Sequence, residues 1–233
     1  MLLVAARVHE WIDPLKYRTF ILTDPASSCP RLRVLQRAIE SKPAQFIRDN
    51  IWHLFIEPDA SHAWNTFIPF CTGVRSLLFR SIFFGHTEES MPIDLALPMF
   101  SSLTHLDVWE EIIAISPSWS GLALLPALTH LAFLRISYDV GVTILEMCCK
   151  LQVIISMEDE HPSKWPMLSA TVDDWEPRFV GVVLTTDNYA SDWETGLRGG
   201  SDFWARADAF VAMRRRGEVE PKSRYWIEDR DGI

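Results

Sequence analysis

Several signatures are missing from this chain, and each absence closes a class of function. It has no GxSxG, no HExxH and no GxxxxGK[ST], so there is no nucleophile elbow, zincin helix or phosphate loop to build on. Its four cysteines, Cys29, Cys71, Cys148 and Cys149, have neither CxxC spacing nor the density of a disulfide framework; a reducing compartment, cytoplasmic or nuclear, is expected. Basic residues are the minority. The 22 Lys and Arg against 31 Asp and Glu leave a net charge of −9, the wrong sign for a nucleic-acid surface. The opening "MLLVAARVHEW" lacks the basic n-region and small-residue cleavage site of a signal peptide. No membrane span is expected.

What is present is apolar and repetitive. Hydrophobic residues make up 48% of the 233, with 10 Trp and 13 Phe, enough for a sizeable core in one large domain or a domain with an appendage. The phrase "SLTHLDV" at 102–108 returns as "ALTHLAF" at 127–133. Reduced to LxxLxL, the pattern is Leu103, Leu106, Val108 and then Leu128, Leu131, Phe133. Upstream copies are Val74, Leu77, Phe79, then Ile51, Leu54, Ile56, and a first one at Tyr17, Phe20, Leu22. Downstream come Leu151, Ile154 and Phe179, Val182, Leu184. From Ile51 the steps are 23, 29, 25, 23 and 28 residues, in or near the ~20–29 period of leucine-rich repeats. One such unit cannot bury its apolar edge alone, so copies stack and share a core. The fold expected is α/β: an irregular leucine-rich-repeat-like solenoid with a short parallel sheet on one face and helices or irregular returns on the other. The Asn that commonly follows LxL is replaced by Glu57, Arg80, Trp109 and Leu134, so no asparagine ladder stitches the copies.

The return legs carry helical spacing. Leu32, Leu35 and Ile39 share a face, Val142, Leu145 and Met147–Cys149 lie around one helix, and Asp59 or Ser61 would cap a turn bearing Trp64, Phe67 and Ile68. The domain reading is 1–16 as an N-terminal helix, 17–185 as the repeats, and 186–233 as a connector, capping helix and tail. In that last part "TTDNYASDWETGLRGG" reads as a turn-rich connector. "SDFWARADAFVAMRRRG" reads as a helix capped by Ser201 or Asp202, with Phe203, Trp204, Ala207, Phe210 and Val211 as its apolar stripe and Gly217 as its stop. Arg214–Arg216 complement the dipole of its last turn, ahead of a localisation or phosphate-binding role. The tail "SRYWIEDRDGI" would pack on the end repeat.

Strand alternation assigns the third and fifth residue of each copy to the concave side. These are His53 and Phe55, Ser76 and Leu78, His105 and Asp107, His130 and Ala132, Val153 and Ile155, and Gly181 and Val183. The apolar members make a patch too large for a monomer to expose, and the aromatic C-terminal segment is the expected cover for the last two strands. Partner-binding candidates are His53, Arg80, His105, Asp107, Trp109 and His130. His105 and His130 with Asp107 fall short of the three or four convergent ligands of a zinc site, and no metal or cofactor is expected. Cys148-Cys149 read as buried small apolar residues and Glu158-Asp159-Glu160 as a solvated charge run, so no catalytic set is assembled and the chain reads as non-enzymatic.

Three phrases, "LLVAARVHEWIDPLKYRTF", "LTHLDV…LPALTHLAF" and "FWARADAFVAMRRRGEVEP", resemble fungal F-box-like proteins with degenerate leucine-rich repeats. The start resembles the tail of an F-box without its LPxE-type opening. The resemblance implies a protein–protein interaction module: the substrate-recognition part of, or a derivative of, an F-box ubiquitin-ligase receptor, with the Skp-type adaptor of a cullin–RING ligase as partner. The alternative is a free-standing repeat scaffold with no ligase link, with an uncharacterised enzyme ranked behind it.

Overall fold

The computed structural model describes residues 8, 11–22, 29–57, 66–80, 95–109, 117–159, 176–184 and 186–233. They form an α/β protein of two compact units, Met1–Val108 with Ser120–Leu128, and Trp109–Trp119 with Thr129–Ile233. This division separates the chain within the repeats; the C-terminal helices belong with the last strands.

In the first unit, β1 (Thr19–Leu22), β2 (His53–Ile56) and β3 (Ser76–Arg80) pair in parallel, with Thr19 opposite His53 and His53 opposite Ser76. Strand β4 (His105–Trp109) follows, its last residue counted with the second unit. Strands β2, β3 and β4 are launched by the same joint. The Arg18 carbonyl accepts from the N–H groups of Trp52 and His53 at 3.1 and 3.0 Å, that of Trp52 from Arg75 and Ser76, and that of Arg75 from Thr104 and His105. A carbonyl with two lone pairs takes two donors at once, which fixes the register of each strand on the one before.

Between β1 and β2 lie α1 (Pro30–Ser41) and α2 (Ala44–Asn50). Pro30 starts α1 where a missing N–H costs nothing, Leu32, Leu35 and Ala38 form its buried face, and Lys42, held extended before Pro43, ends it. Ile39 is only half-buried, so the stripe turns one position from the expected one. Later returns are short 3₁₀ turns at Ile68–Phe70, Pro98–Phe100 and Pro117–Leu124. The proposed caps Asp59 and Ser61, with Trp64, lie outside the described residues; residues 11–16 of the N-terminal segment are helical. Gly73 passes so close to α2 that a Cβ there would overlap the Arg48 carbonyl oxygen.

In the second unit, β5 (His130–Leu134), β6 (Val153–Glu158) and β7 (Phe179–Val183) pair in parallel, and the joint recurs at the Thr129 carbonyl, which accepts from Gln152 and Val153. His130 stands opposite Val153, as the template requires, but Phe179 stands opposite Ile154. The last copy is therefore shifted by three residues from the sequence alignment. An odd slip exchanges the two faces, so Phe179 packs on the helical side and Gly181 and Val183 leave the concave set. Helix α3 (Tyr138–Met147) is capped by the Ser137 hydroxyl and buries Val140, Gly141, Ile144 and Leu145. It ends at Met147; Cys148 is buried but Cys149 is exposed, contrary to the expectation that both face the core.

The segment read as a connector forms α4 (Thr186–Leu197). Tyr189 and Trp193, four residues apart, are its buried pair. Gly196 is required because a Cβ there would overlap the Asp202 carboxylate. Helix α5 (Phe203–Arg216) matches the expected helix: Asp202 caps it by accepting from Ala205 N–H at 2.9 Å, the stripe Phe203, Trp204, Ala207, Phe210 and Val211 is buried, and Gly217 stops it at φ 72°. Asp192 of α4 adds a second N-terminal cap, accepting from Phe203 N–H at 2.7 Å while pairing with Arg206. The tail closes the outer edge of β7: Gly181 N–H donates to Tyr225 and Gly181 carbonyl accepts from Ile227. Arg224, buried, holds it with two 2.7 Å bonds to Asp231.

Candidate functional site

The repeated Leu-Thr-His-Leu phrase is first of all a structural device. In both copies the threonine hydroxyl meets the Nδ1 of the next histidine, at 2.9 Å for Thr104 and His105 and 2.7 Å for Thr129 and His130. Thr104 also donates its one hydroxyl proton to the Arg75 carbonyl at 2.9 Å. Its oxygen can then only accept from His105, whose Nδ1 carries the proton. The Thr–His pair thus extends the strand-start joint into the side chains.

At the strand-start edge of the first unit, three residues preceding β1, β2 and β3 stack. The guanidinium carbons of Arg18 and Arg75 each lie 4.2 Å from the centre of the Trp52 ring, which lies just before β2, the strand between theirs. The indole N–H donates to the Asp49 carbonyl, fixing the ring. Both arginines are exposed, so the edge presents a cationic, flat, partly apolar surface on an acidic protein. Beneath it His53 is half-buried. Burial, then the charges of Arg18 and Arg75, push its pKa down to about 4, and it stays neutral at physiological pH.

The face expected to be concave is closed in the chain itself. Phe55, Leu78, Ala132, Val153 and Ile155 are each at most 1% exposed. In the second unit the cover is α5, which packs on β6 and β7. His130, only 7% exposed, lies under it: Nε2 donates to both Asp208 oxygens at 3.2 Å and the Trp204 ring stands edge-on at 5.7 Å. The intramolecular cover expected for the last strands is therefore present.

Of the six candidates, His53 and His105 remain half-exposed at strand starts in the first unit. Asp107 is 1% exposed inside β4, and His130 is sealed by α5, so neither offers a free surface. Trp109 stacks on Tyr189 at 4.3 Å. Arg80 ends β3, with its side chain outside the described residues. The residues that sequence reading missed are Arg18, Trp52 and Arg75. Their signal was available, since each is the residue immediately before a strand, one step outside the template.

Other candidate chemistry is structural. Burial pushes the Cys71 thiol up to about 12 and raises that of Cys148 as well, the opposite of nucleophile activation. Glu158 and Asp159 are both engaged by Arg135, which turns the chain after β5 at φ 57°; Glu160 lies outside the described residues. Among the described residues no three His, Cys, Asp or Glu side chains converge as a metal site, and no helix is long and apolar enough to cross a membrane. Comparison with family models, curated proteins and solved structures finds no match.

Proposed function

We propose that this chain is a protein-recognition module: an irregular leucine-rich-repeat-like solenoid serving as, or derived from, the substrate-recognition part of an F-box ubiquitin-ligase receptor. The observation that carries the reading is the recurring joint, in which the carbonyls of Arg18, Trp52, Arg75 and Thr129 each accept from two successive N–H groups of the following strand. A joint that recurs at the starts of β2, β3, β4 and β6 is what stacked units would share, and stacked units supply extended binding surfaces rather than enclosed active sites. Because the sheet face is filled by apolar side chains, recognition falls to the strand-start edge, where Arg18, Trp52 and Arg75 form a rigid stack beside His53 and His105. Arginine and tryptophan are the residues most enriched in binding hot spots. Two guanidinium groups on an indole favour a partner that presents carboxylates.

The test is calorimetric titration of the 233-residue chain with the Skp-type adaptor at micromolar concentrations. Saturable 1:1 binding supports the ligase-receptor reading. A folded sample that binds no adaptor leaves the free-standing repeat scaffold, whose direct partners should then lose affinity on Trp52→Ala.

A further inference from the structure

At the edge where β1, β2 and β3 begin, the first unit presents two arginines that meet no carboxylate among the described residues. We propose that this edge binds an extended acidic segment of a partner protein, taking two carboxylates spaced two residues apart, one on Arg18 and one on Arg75. The proposal rests on the recognition reading above and names the chemistry that its exposed stack takes.

The acidity of the chain is unevenly placed. The first unit holds 10 of the 22 Lys and Arg and 11 of the 31 Asp and Glu, so nearly all of the net charge of −9 falls in the second. The carboxylates at this end of the first unit already have partners. Asp49 accepts from Gln45 Nε2 at 2.5 Å and lies 3.6 Å from Arg48 Nε, while Asp13 pairs with Lys42 at 2.9 Å. Among the described residues neither Arg18 nor Arg75 makes an ion pair or a side-chain hydrogen bond, and both are exposed. An arriving anion therefore meets charge that nothing has neutralised. A long polyanion is repelled by a chain of net −9, whereas a segment bearing two carboxylates incurs little of that repulsion.

The spacing of the two cations selects the form of the segment. Each guanidinium carbon lies 4.2 Å from the centre of the same indole, so the two are no farther apart than twice that distance. Alternate residues of an extended chain share a face and lie about 7 Å apart, which lets two glutamate side chains reach both arginines together. Adjacent residues point to opposite faces and supply one carboxylate at a time.

The receiving groups are ordered in advance. The Trp52 indole N–H donates to the Asp49 carbonyl at 2.8 Å, and the Arg18 and Trp52 carbonyls lock the starts of β2 and β3. Arginines held on a fixed ring lose little side-chain freedom when a ligand arrives. A guanidinium lying over an indole keeps its N–H edge in its own plane, where it can donate a fork to a carboxylate.

The experiment titrates the full chain, at low ionic strength, with two acetylated and amidated peptides of equal composition and charge. One carries Glu-Thr-Glu at its centre and the other Glu-Glu-Thr. Binding is followed by the Trp52 indole N–H resonance, assigned with Trp52→Phe. The Glu-Thr-Glu peptide should shift that resonance saturably with millimolar affinity or better, and the Glu-Glu-Thr peptide should bind about fivefold more weakly. Arg18→Ala and Arg75→Ala should each weaken binding by about fivefold or more. Arg75→Lys, which keeps the charge without the fork, should restore only part of the loss. The comparison of the two peptides on the wild-type chain needs no variant to fold. No saturable shift by about 10 mM peptide overturns the proposal, as does equal affinity for the two peptides or binding that the double alanine variant leaves unchanged. Binding about tenfold tighter when phosphoserine replaces both glutamates would overturn the carboxylate assignment. Adaptor binding in the calorimetric titration, with no peptide effect, would strike this proposal and leave the recognition reading standing.

Discussion

Replacing Phe210 by alanine tests whether α5 is part of the core or a detachable appendage. Phe210 is 0% exposed on the face that α5 turns inward, with the Arg224 guanidinium 5.3 Å from its ring. Losing the transfer of the ring from water costs about 1.5–3 kcal/mol. A void of roughly 100 Å³ that collapses only in part adds up to about 2 kcal/mol. Alanine's better helix propensity returns about half a kcal/mol at most. These terms sum to about 1–5 kcal/mol, and Phe→Ala in a packed core typically costs about 3–5 kcal/mol, a large share of the ~5–15 kcal/mol that holds a domain together. Asp208→Ala, two residues away on the same helix, is the control. It removes the bonds to His130, but the carboxylate is 53% exposed, and such a pair contributes about 0–1 kcal/mol. Urea unfolding followed by tryptophan fluorescence and by circular dichroism measures both variants. A Phe210→Ala loss under about 1 kcal/mol, or one no larger than that of Asp208→Ala, would refute the view that apolar burial seats this helix.

Three further outcomes are expected. The Hε1 resonance of His53 should titrate near pH 4. Because its folded pKa lies below the ~6.5 of the unfolded chain, the unfolded state takes up the proton first; stability is full above pH 6.5 and falls towards pH 4 by on the order of 3 kcal/mol, a slope that His53→Gln should abolish. A titration midpoint above 6 would contradict the burial described. Gly73→Ala should lower the thermal midpoint by an amount matching a loss of roughly 2 kcal/mol or more, since the Cβ meets the fixed Arg48 carbonyl and not a movable side chain; an unchanged midpoint would show that the turn can shift freely. In a thiol-labelling assay on the native protein, Cys149 should react alone and Cys29, Cys71 and Cys148 only on unfolding. Rapid labelling of a second cysteine without denaturant would run against this.

The positions of the strands were legible in the chain because an inward apolar residue leaves a trace at a fixed spacing, and that trace survives even where the repeat length varies. Helix α5 was legible for a similar reason: a capping Asp202, an apolar stripe and a terminal Gly217 are local signals that need no partner. Helix α4 was not. Its Asp, Asn and three following glycines look like a turn, and Gly196 is tolerated inside a helix only because the Asp202 carboxylate occupies the space a Cβ would fill. The stack of Arg18, Trp52 and Arg75 likewise arises from three distant residues that meet only when β1, β2 and β3 are in register. Above all, alternation along a strand says which residues share a face but not what covers it. The odd slip that exchanged the faces of β7, and the seating of α5 over His130, Val153 and Ile155, are decided by packing between segments far apart in sequence. Only the folded chain could turn a predicted binding face into core.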